Sequence, residues 1–241
     1  MTSDAQPQQS GTLYVVAVPI GHPDDVTVRA LQVLEKVDVI ASEDPKATQR
    51  FLTHHAIQTT VTSYGPSNLK EKVGVLLQRL QGGMDIALVS DCGSPIIADP
   101  GHLLVAAAHA HRIPVVPVPG PSVIVAALTI AGFPCDAFHF LGHLPRTPSR
   151  IRPWLTDSLK RKVPTVAFGT VASVAHALAT LSAIAPRHLV IVACDLTTPD
   201  ELIIRGTARQ VHRELRRISG RDITLVLAGI GGRKPNDRGL S

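Results

Sequence analysis

Apolar residues in this chain fall into short dense runs separated by longer stretches in which they recur every three or four positions. Leu13–Val18, Val37–Ala41, Thr60–Ser63, Ile86–Ser90 and Pro114–Val118 have the length and β-rich content of strands. Between them, Val26, Ala30, Val33, Leu34 and Val37 share one helical face, with Asp24 or Asp25 ahead of them as a cap. Further helices are predicted over Ala47–His55, from about Asn68 to Gln81, and over His102–His111. Strands alternating with helices at this spacing predict a mostly parallel sheet with helices on both faces.

The pattern breaks at Pro117-Val-Pro-Gly-Pro-Ser122, where the prolines stiffen the chain and Ser122 can cap an apolar helix, Val123–Ala131. Beyond it, Phe138–Leu141, Thr165–Phe168, Leu189–Ala193, Glu201–Arg205 and Ile223–Ala228 read as strands. Pro153–Lys162, Val171–Leu181 and Thr207–Ile218 read as helices. The expected fold class is therefore α/β in two domains, a parallel-sheet N-terminal domain at 11–118 and a mixed-sheet C-terminal domain at 119–230. A disordered lead is expected at 1–10 and a tail at 231–241.

Composition narrows the setting. The 241 residues are 44% hydrophobic and 18% charged, ordinary for a globular protein with a proper core. Cys92, Cys135 and Cys194 lie far apart, without disulfide or zinc-ligand spacing, which favours a reducing, cytoplasmic setting and no metal. No signal core precedes the first strand, and the longest nearly apolar stretch, Val123–Phe133, is too short to span a bilayer, so no membrane role is expected. Charge is uneven: residues 1–120 carry 8 Lys and Arg against 11 Asp and Glu, and residues 121–241 carry 16 against 8. Two basic groups stand out, Arg146, Arg150, Arg152, Lys160, Arg161 and Lys162, then Arg205, Arg209, Arg213, Arg216, Arg217 and Arg221. Such clusters suit a phosphate backbone and a solvated helix face about equally.

The densest punctuation lies in Val89–Gly101, which holds two each of Gly, Pro, Asp and Ser just after a buried strand. An ordinary turn needs far less, and the carboxyl ends of strands are where open α/β sheets bind ligands. P-loop, HExxH, G-x-G-x-x-G and G-x-S-x-G motifs are absent. The histidine pairs His54-His55 and His109/His111 show no converging carboxylate, and Cys92 has no adjacent His to activate it. Glu43 and Asp44 sit at a strand end and are candidates for proton transfer, whereas Asp24-Asp25 reads as a cap. Several Gly/Pro loops can bring main-chain donors and acceptors close to a small polar ligand, which suits a methyl-transfer cofactor.

Leu13-Tyr-Val-Val-Ala-Val-Pro-Ile-Gly21, Asp24-Asp-Val-Thr-Val-Arg-Ala-Leu31, Ser42-Glu-Asp44, Leu88-Val-Ser-Asp-Cys-Gly-Ser-Pro95, Asp99-Pro-Gly101 and Pro117–Ser122 together resemble the tetrapyrrole methylase superfamily. The resemblance is greatest to its branch of small-subunit ribosomal RNA methyltransferases, which 2′-O-methylate a cytidine. It runs from about residue 11 to 230, with Phe140-Leu-Gly-His-Leu-Pro145 and Asp195-Leu-Thr197 the clearest pieces of the second half. It implies a two-domain homodimer holding S-adenosylmethionine in the cleft between domains. It assigns cofactor contacts to Pro19, Gly21, Ser90, Asp91, Gly93, Ser94, Ile97, Ser122, Val123, Phe168 and Ala193, with Glu43 or Asp44 to accept or orient a proton. The chain departs from that branch at Pro45-Lys46, Tyr64-Gly-Pro66 and Gly169–Val174, while Thr197–Glu201 is similar to the porphyrinogen branch. Three readings stay open: a ribosomal RNA methyltransferase, a small-molecule methyltransferase of the tetrapyrrole type, and a non-catalytic binder of S-adenosylmethionine.

Overall fold

The computed structural model describes residues 10–65, 69–218 and 222–229. The expected tail lies outside this range, as do the expected lead except Ser10, the Asn68 start of one helix, and Arg221 of the second basic group. The chain forms two compact units, Met1–Ser122 and Val123–Ser241.

The first unit runs β1 (Leu13–Val16), α1 (Val28–Lys36), β2 (Val39–Ser42), α2 (Pro45–His54), β3 (Val61–Ser63), α3 (Leu69–Gln81), β4 (Ile86–Val89), α4 (His102–Ala110) and β5 (Val115–Val118). Its strands are ordered β3-β2-β4-β1-β5 and every pairing is parallel. Alternation along each strand divides the core. Val16, Ile40, Ala87 and Val89 pack with Ala30 and Leu34 of α1 and Leu52 of α2. Leu13, Ala41, Ile86 and Leu88 pack with Leu76 and Leu80 of α3 and Leu104 and Ala108 of α4. Because β2 and β4 are buried on both faces, β4 reads as an unbroken apolar run and β2 as one that closes on the buried Ser42. The topology also fixes where a ligand can sit. From β1 the chain leaves through α1 toward β2, and from adjacent β4 it leaves through α4, on the opposite face, toward β5. The two loops part there and open a crevice at the carboxyl ends of the strands.

The second unit runs α5 (Val123–Thr129), β6 (His139–His143), α6 (Pro148–Ser158), β7 (Thr165–Gly169), α7 (Val171–Ile184), β8 (Leu189–Cys194), β9 (Leu202–Thr207), α8 (Ala208–Arg213) and β10 (Ile223–Leu227). The sheet is mixed, ordered β6-β7-β10-β8-β9, with β6 and β7 parallel and the remaining pairs antiparallel. Ile151 and Leu155 of α6, Val174, Leu178 and Leu181 of α7 and Val211 of α8 cover the face formed by Ala167, Val190, Val192 and Leu225. Val166, Ala193, Thr224 and Val226, at alternate positions, are buried as well. The helix α7 opens with a capping box in which Thr170 and Ser173 each bond the other's backbone amide. Thr170→Ala is expected to lower stability by about 1 kcal/mol, read as a shift in the denaturant midpoint at unchanged slope.

Two expected helices are corrected. The one placed at Pro153–Lys162 is α6, starting five residues earlier with Pro148 in its first turn and Pro153 in its interior. Burial of Ile151, Leu155 and Ser158 at helical spacing offsets the hydrogen bond that Pro153 cannot donate. The one placed at Thr207–Ile218 stops at Arg213, and a single 3-10 turn at Leu215–Arg217 brings Ile218 back into the core.

Candidate functional site

Three loops are stitched together at the β1/β4 crevice. Val18 N–H donates to Gly93 O at 2.9 Å and Gly93 N–H donates back to Val18 O at 3.1 Å, tying the loop after β1 to the loop after β4. Ser94 Oγ–H donates to Pro121 O at 3.3 Å, which adds the segment after β5. The buried Ser90 hydroxyl points into its own loop, donating to Cys92 O and Gly93 O at 3.2 and 3.1 Å. Gly93 has φ +71°, and a Cβ there would lie 3.3 Å from Ile20 Cγ2 and 3.7 Å from Pro121 O. Farther along the loop, Ile96 and Ala98 hold φ values of 77° and 66°, a left-handed conformation that is strained for a β-branched residue such as Ile96. Ile97 between them is exposed.

Carboxylates from two strand ends meet beside these loops and take different roles. Asp44 is the N-cap of α2, its Oδ1 accepting from Lys46 and Ala47 N–H at 2.9 and 3.0 Å. Those bonds, Ala47's first, hold its carboxyl below the usual range. Glu43 is half-buried, and burial, then the charges of Asp91 and Asp99, raise its pKa to about 6. Asp99 is likewise raised to about 6, by burial and then by Asp91. Asp91 is pushed upward by burial and by the Asp44 charge, against a bond from the Asp44 amide. Of the two acids singled out at this strand end, Asp44 thus serves the backbone, while Glu43 has no such bond to the helix start and its carboxyl is raised toward neutrality. Gly65, after β3, stands against Glu43, where a Cβ would lie 3.7 Å from its Cγ.

A cavity of about 370 Å³ lies between these loops and α2, lined by Val18, Pro19, Gly21, Ser90 and Asp91 on one side and Thr48, Arg50, Phe51 and His54 on the other. It brings Pro19, Gly21, Ser90 and Asp91 together as the sequence suggested, and adds Arg50 and His54, which the sequence did not single out as ligand contacts. At its edge a sequence expectation is corrected. His54 does meet a carboxylate: Asp24 Oδ1 lies 3.0 Å from its Nε2, because the loop after β1 folds onto the end of α2 thirty residues away in sequence.

The remaining nominees lie at and beyond the junction of the units. Ser122 ends the first unit and Val123 begins α5, both half-buried. Phe168 and Ala193 both pair with Thr224 of β10, so they share one row of the second sheet. Phe168 packs against Phe140 at 4.9 Å and His143 at 5.6 Å between ring centroids. Ala193 is fully buried, so it shapes its surroundings and offers no surface of its own. Thr224, whose β-rich run gave no cue beyond a strand, is the buried polar residue between them. The motif Asp195-Leu-Thr197 is strained, with φ 46° at Asp195 and 65° at Thr197. It is fastened by Glu201 Oε2 accepting from Thr197 N–H at 2.7 Å. In sum, the first unit offers main-chain groups at a strand-end crevice, a half-buried carboxylate titrating near 6 and a cavity of small-ligand size. That set suits positioning a donor and deprotonating an acceptor.

Residues 12–212 match the family of tetrapyrrole (corrin/porphyrin) methylases. The chain is 38% identical over 230 residues to ribosomal RNA small subunit methyltransferase I of Micromonospora olivasterospora, covering 95% of this chain and 74% of that one. It is 36% identical over 228 residues to the protein of the same name from Halalkalibacterium halodurans, covering 94% and 78%. Among solved structures, cobalt precorrin-4 methyltransferase shares the fold with a TM-score of 0.68 at 21% identity, over 90% of this chain and 94% of that one. Uroporphyrin-III C-methyltransferase from Thermus thermophilus, complexed with S-adenyl homocysteine, does so at 0.63 and 19% identity, over 90% and 97%.

Proposed function

We propose that this chain, which belongs to the tetrapyrrole (corrin/porphyrin) methylase family and within it to the ribosomal RNA small subunit methyltransferase I group, methylates the 2′-hydroxyl of a cytidine in small-subunit ribosomal RNA with S-adenosylmethionine as donor. The observation that carries the choice of acceptor is the contrast in likeness. Sequence identity of 36–38% over nearly the whole chain goes to ribosomal RNA methyltransferases, whereas the tetrapyrrole enzymes share the fold at 19–21%.

The loops fit the donor. The Val18–Gly93 pairing fixes main chain at the crevice with no side chain at Gly93, and Pro19, Gly21, Ser90, Asp91, Ser94 and Ile97 lie on the two loops it joins. Ser122, Val123, Phe168 and Ala193 stay assigned to the donor through the family resemblance. When bound, S-adenosylmethionine supplies an electrophilic methyl on a sulfonium that departs as a neutral thioether. Glu43 takes the proton of the attacking hydroxyl, its pKa near 6 leaving it mostly ionised at pH 7.5 and still basic enough to accept. Asp44 keeps the first turn of α2 in place beside it.

Acceptor binding draws on the second unit. Arg150 and Arg152 of α6, and Arg209, Arg213 and Arg216 on α8 and the turn after it, are exposed on helices that cover the same sheet face. Arg205 instead holds the end of α5, donating to Ala131 O at 2.8 Å, while Arg161 and Arg217 pair with Asp157 and Glu214. With about three phosphate contacts, affinity for small ribosomal subunits should fall roughly 20- to 40-fold between 50 and 200 mM salt, measured by filter binding. The same reading makes the protein a cytoplasmic homodimer; among the described residues no helix is long and apolar enough to cross a membrane. The decisive test incubates labelled S-adenosylmethionine with small subunits from cells lacking the modification. Label at one cytidine 2′-oxygen is expected. Its absence beside an active control enzyme overturns the acceptor, and label on a tetrapyrrole instead would move the chain to the small-molecule branch.

A further inference from the structure

We propose that Asp24, His54 and His55 form a binding site for a divalent transition-metal ion of the zinc or cobalt type at the edge of the cavity. One ligand atom from each residue lies within 4.8 Å of the other two. Asp24 Oδ1 and His54 Nε2 are already 3.0 Å apart, close to the separation of about 3.3 Å that two ligands take around tetrahedral zinc at bond lengths near 2.0–2.1 Å. Neighbours in sequence point apart along a helix, yet here they converge. His54 is the last residue of α2 and His55 its C-cap, and their rings stand edge to face with centroids 4.8 Å apart. Phe51, one turn back, packs edge-on against His55 at 5.0 Å and limits its rotation.

Two imidazoles and a carboxylate are a donor set of intermediate softness, matched to zinc, cobalt or nickel and poorly matched to magnesium. The surroundings already direct the loop toward such a site. His55 Nε2 bonds Pro23 O at 3.1 Å, and His22 Nδ1 accepts from Asp24 N–H at 3.2 Å. With its Nε2 against the Pro23 carbonyl, the His55 ring is held beside the loop that carries Asp24, so the three side chains are gathered before any ion arrives. An ion there would fasten the loop carrying Pro19 and Gly21 to α2, since His54 and Pro23 also line the cavity. The inference does not depend on the chain's methylation substrate.

The test titrates the untagged full-length protein with ZnCl₂ by calorimetry and with CoCl₂ by visible absorption, alongside Asp24→Asn, His54→Ala and the control His109→Ala. His109 lies on the exposed side of α4, away from this cluster. One zinc per chain at micromolar affinity is expected, with a cobalt band of matching stoichiometry, no heat with MgCl₂, and at least tenfold weaker zinc binding in both Asp24→Asn and His54→Ala. His109→Ala should bind as the wild type does, and thermal melts of the metal-free variants identify any that fail to fold. Absence of zinc binding by the wild type overturns the proposal. So does undiminished binding by either folded site variant, which would leave the cluster as a hydrogen-bonded latch between loop and helix.

Discussion

Glu43→Gln is expected to lower the rate of methyl transfer by about 100-fold, the lower range of what a positioned proton acceptor contributes, with affinity for S-adenosylhomocysteine unchanged within twofold. Glutamine keeps the size of the side chain and removes only its ability to take a proton. The pH profile separates this role from a structural one. Burial and the Asp91 and Asp99 charges raise the Glu43 pKa to about 6, so the active, ionised form is lost as pH falls through 6. The wild-type rate should therefore rise across pH 5 to 7 and then level, and the variant should lack that inflection. Stability runs the opposite way. A carboxyl whose folded pKa is raised above its ordinary 4.5 favours the native state only while protonated, and that contribution disappears as pH rises through 6. At pH 7.5 the variant should then be at least as stable as the wild type, because an ionised carboxylate beside two others has been neutralised. Asp44→Asn is the contrast: the amide oxygen still accepts from Lys46 and Ala47, and activity should stay within a few-fold. Equal losses in the two variants would remove Glu43 from the mechanism.

That Glu43 and Asp44 stand at a strand end was legible in the sequence, because an apolar run stops at Ser42 and a proline follows at Pro45. Which of them could act was not. The division depends first on tertiary burial of Glu43 and then on the charges of Asp91 and Asp99, which come from a loop some fifty residues farther on, and no local pattern encodes either. The same holds for His54, whose partner Asp24 is brought to it by the loop after β1. Strands and helices were legible wherever one period dominated: β4 as a solid apolar run, α1 as a single stripe. They are misplaced where tertiary burial overrides local chemistry, as in α6, which starts at Pro148 and runs through Pro153 because Ile151 and Leu155 are buried on one face. Gly169 shows a third case. Its departure from the ribosomal branch is visible in the sequence, but its packing is not: a Cβ would lie 2.6 Å from Val174 Cγ2 and 3.0 Å from Leu144 Cδ1, so this β7–α7 corner leaves no room for a side chain. The Gly/Pro loops proposed for the donor were legible because glycine and proline constrain the backbone locally. The proposed acceptor groups are side chains placed by distant neighbours, and there the sequence left alternatives open.

Gly93→Val should abolish measurable binding of S-adenosylhomocysteine or weaken it at least tenfold by calorimetry. Gly93 sits at φ +71°, where a β-branched residue is strained by roughly 1–3 kcal/mol. Relief of that strain requires rotating the same peptide units that pair with Val18. A Cβ already lies 3.3 Å from Ile20 Cγ2, so the added methyl groups press on the loop between Pro19 and Gly21. Both sides of the proposed donor site move together, which is why the expected loss exceeds that of a single removed contact. Gly93→Ala carries the φ penalty with less bulk and should fall between wild type and valine, keeping the test meaningful where the valine variant does not fold. Gly74→Ala on α3, where a Cβ would meet nothing within 4 Å, controls for glycine replacement as such and should bind normally, with slightly raised stability. Tight binding by a folded Gly93→Val protein would show that the donor approaches elsewhere. In that event the Val18–Gly93 pairing is a structural clasp between β1 and β4, and the strain at Ile96 and Ala98 would need another reason to persist.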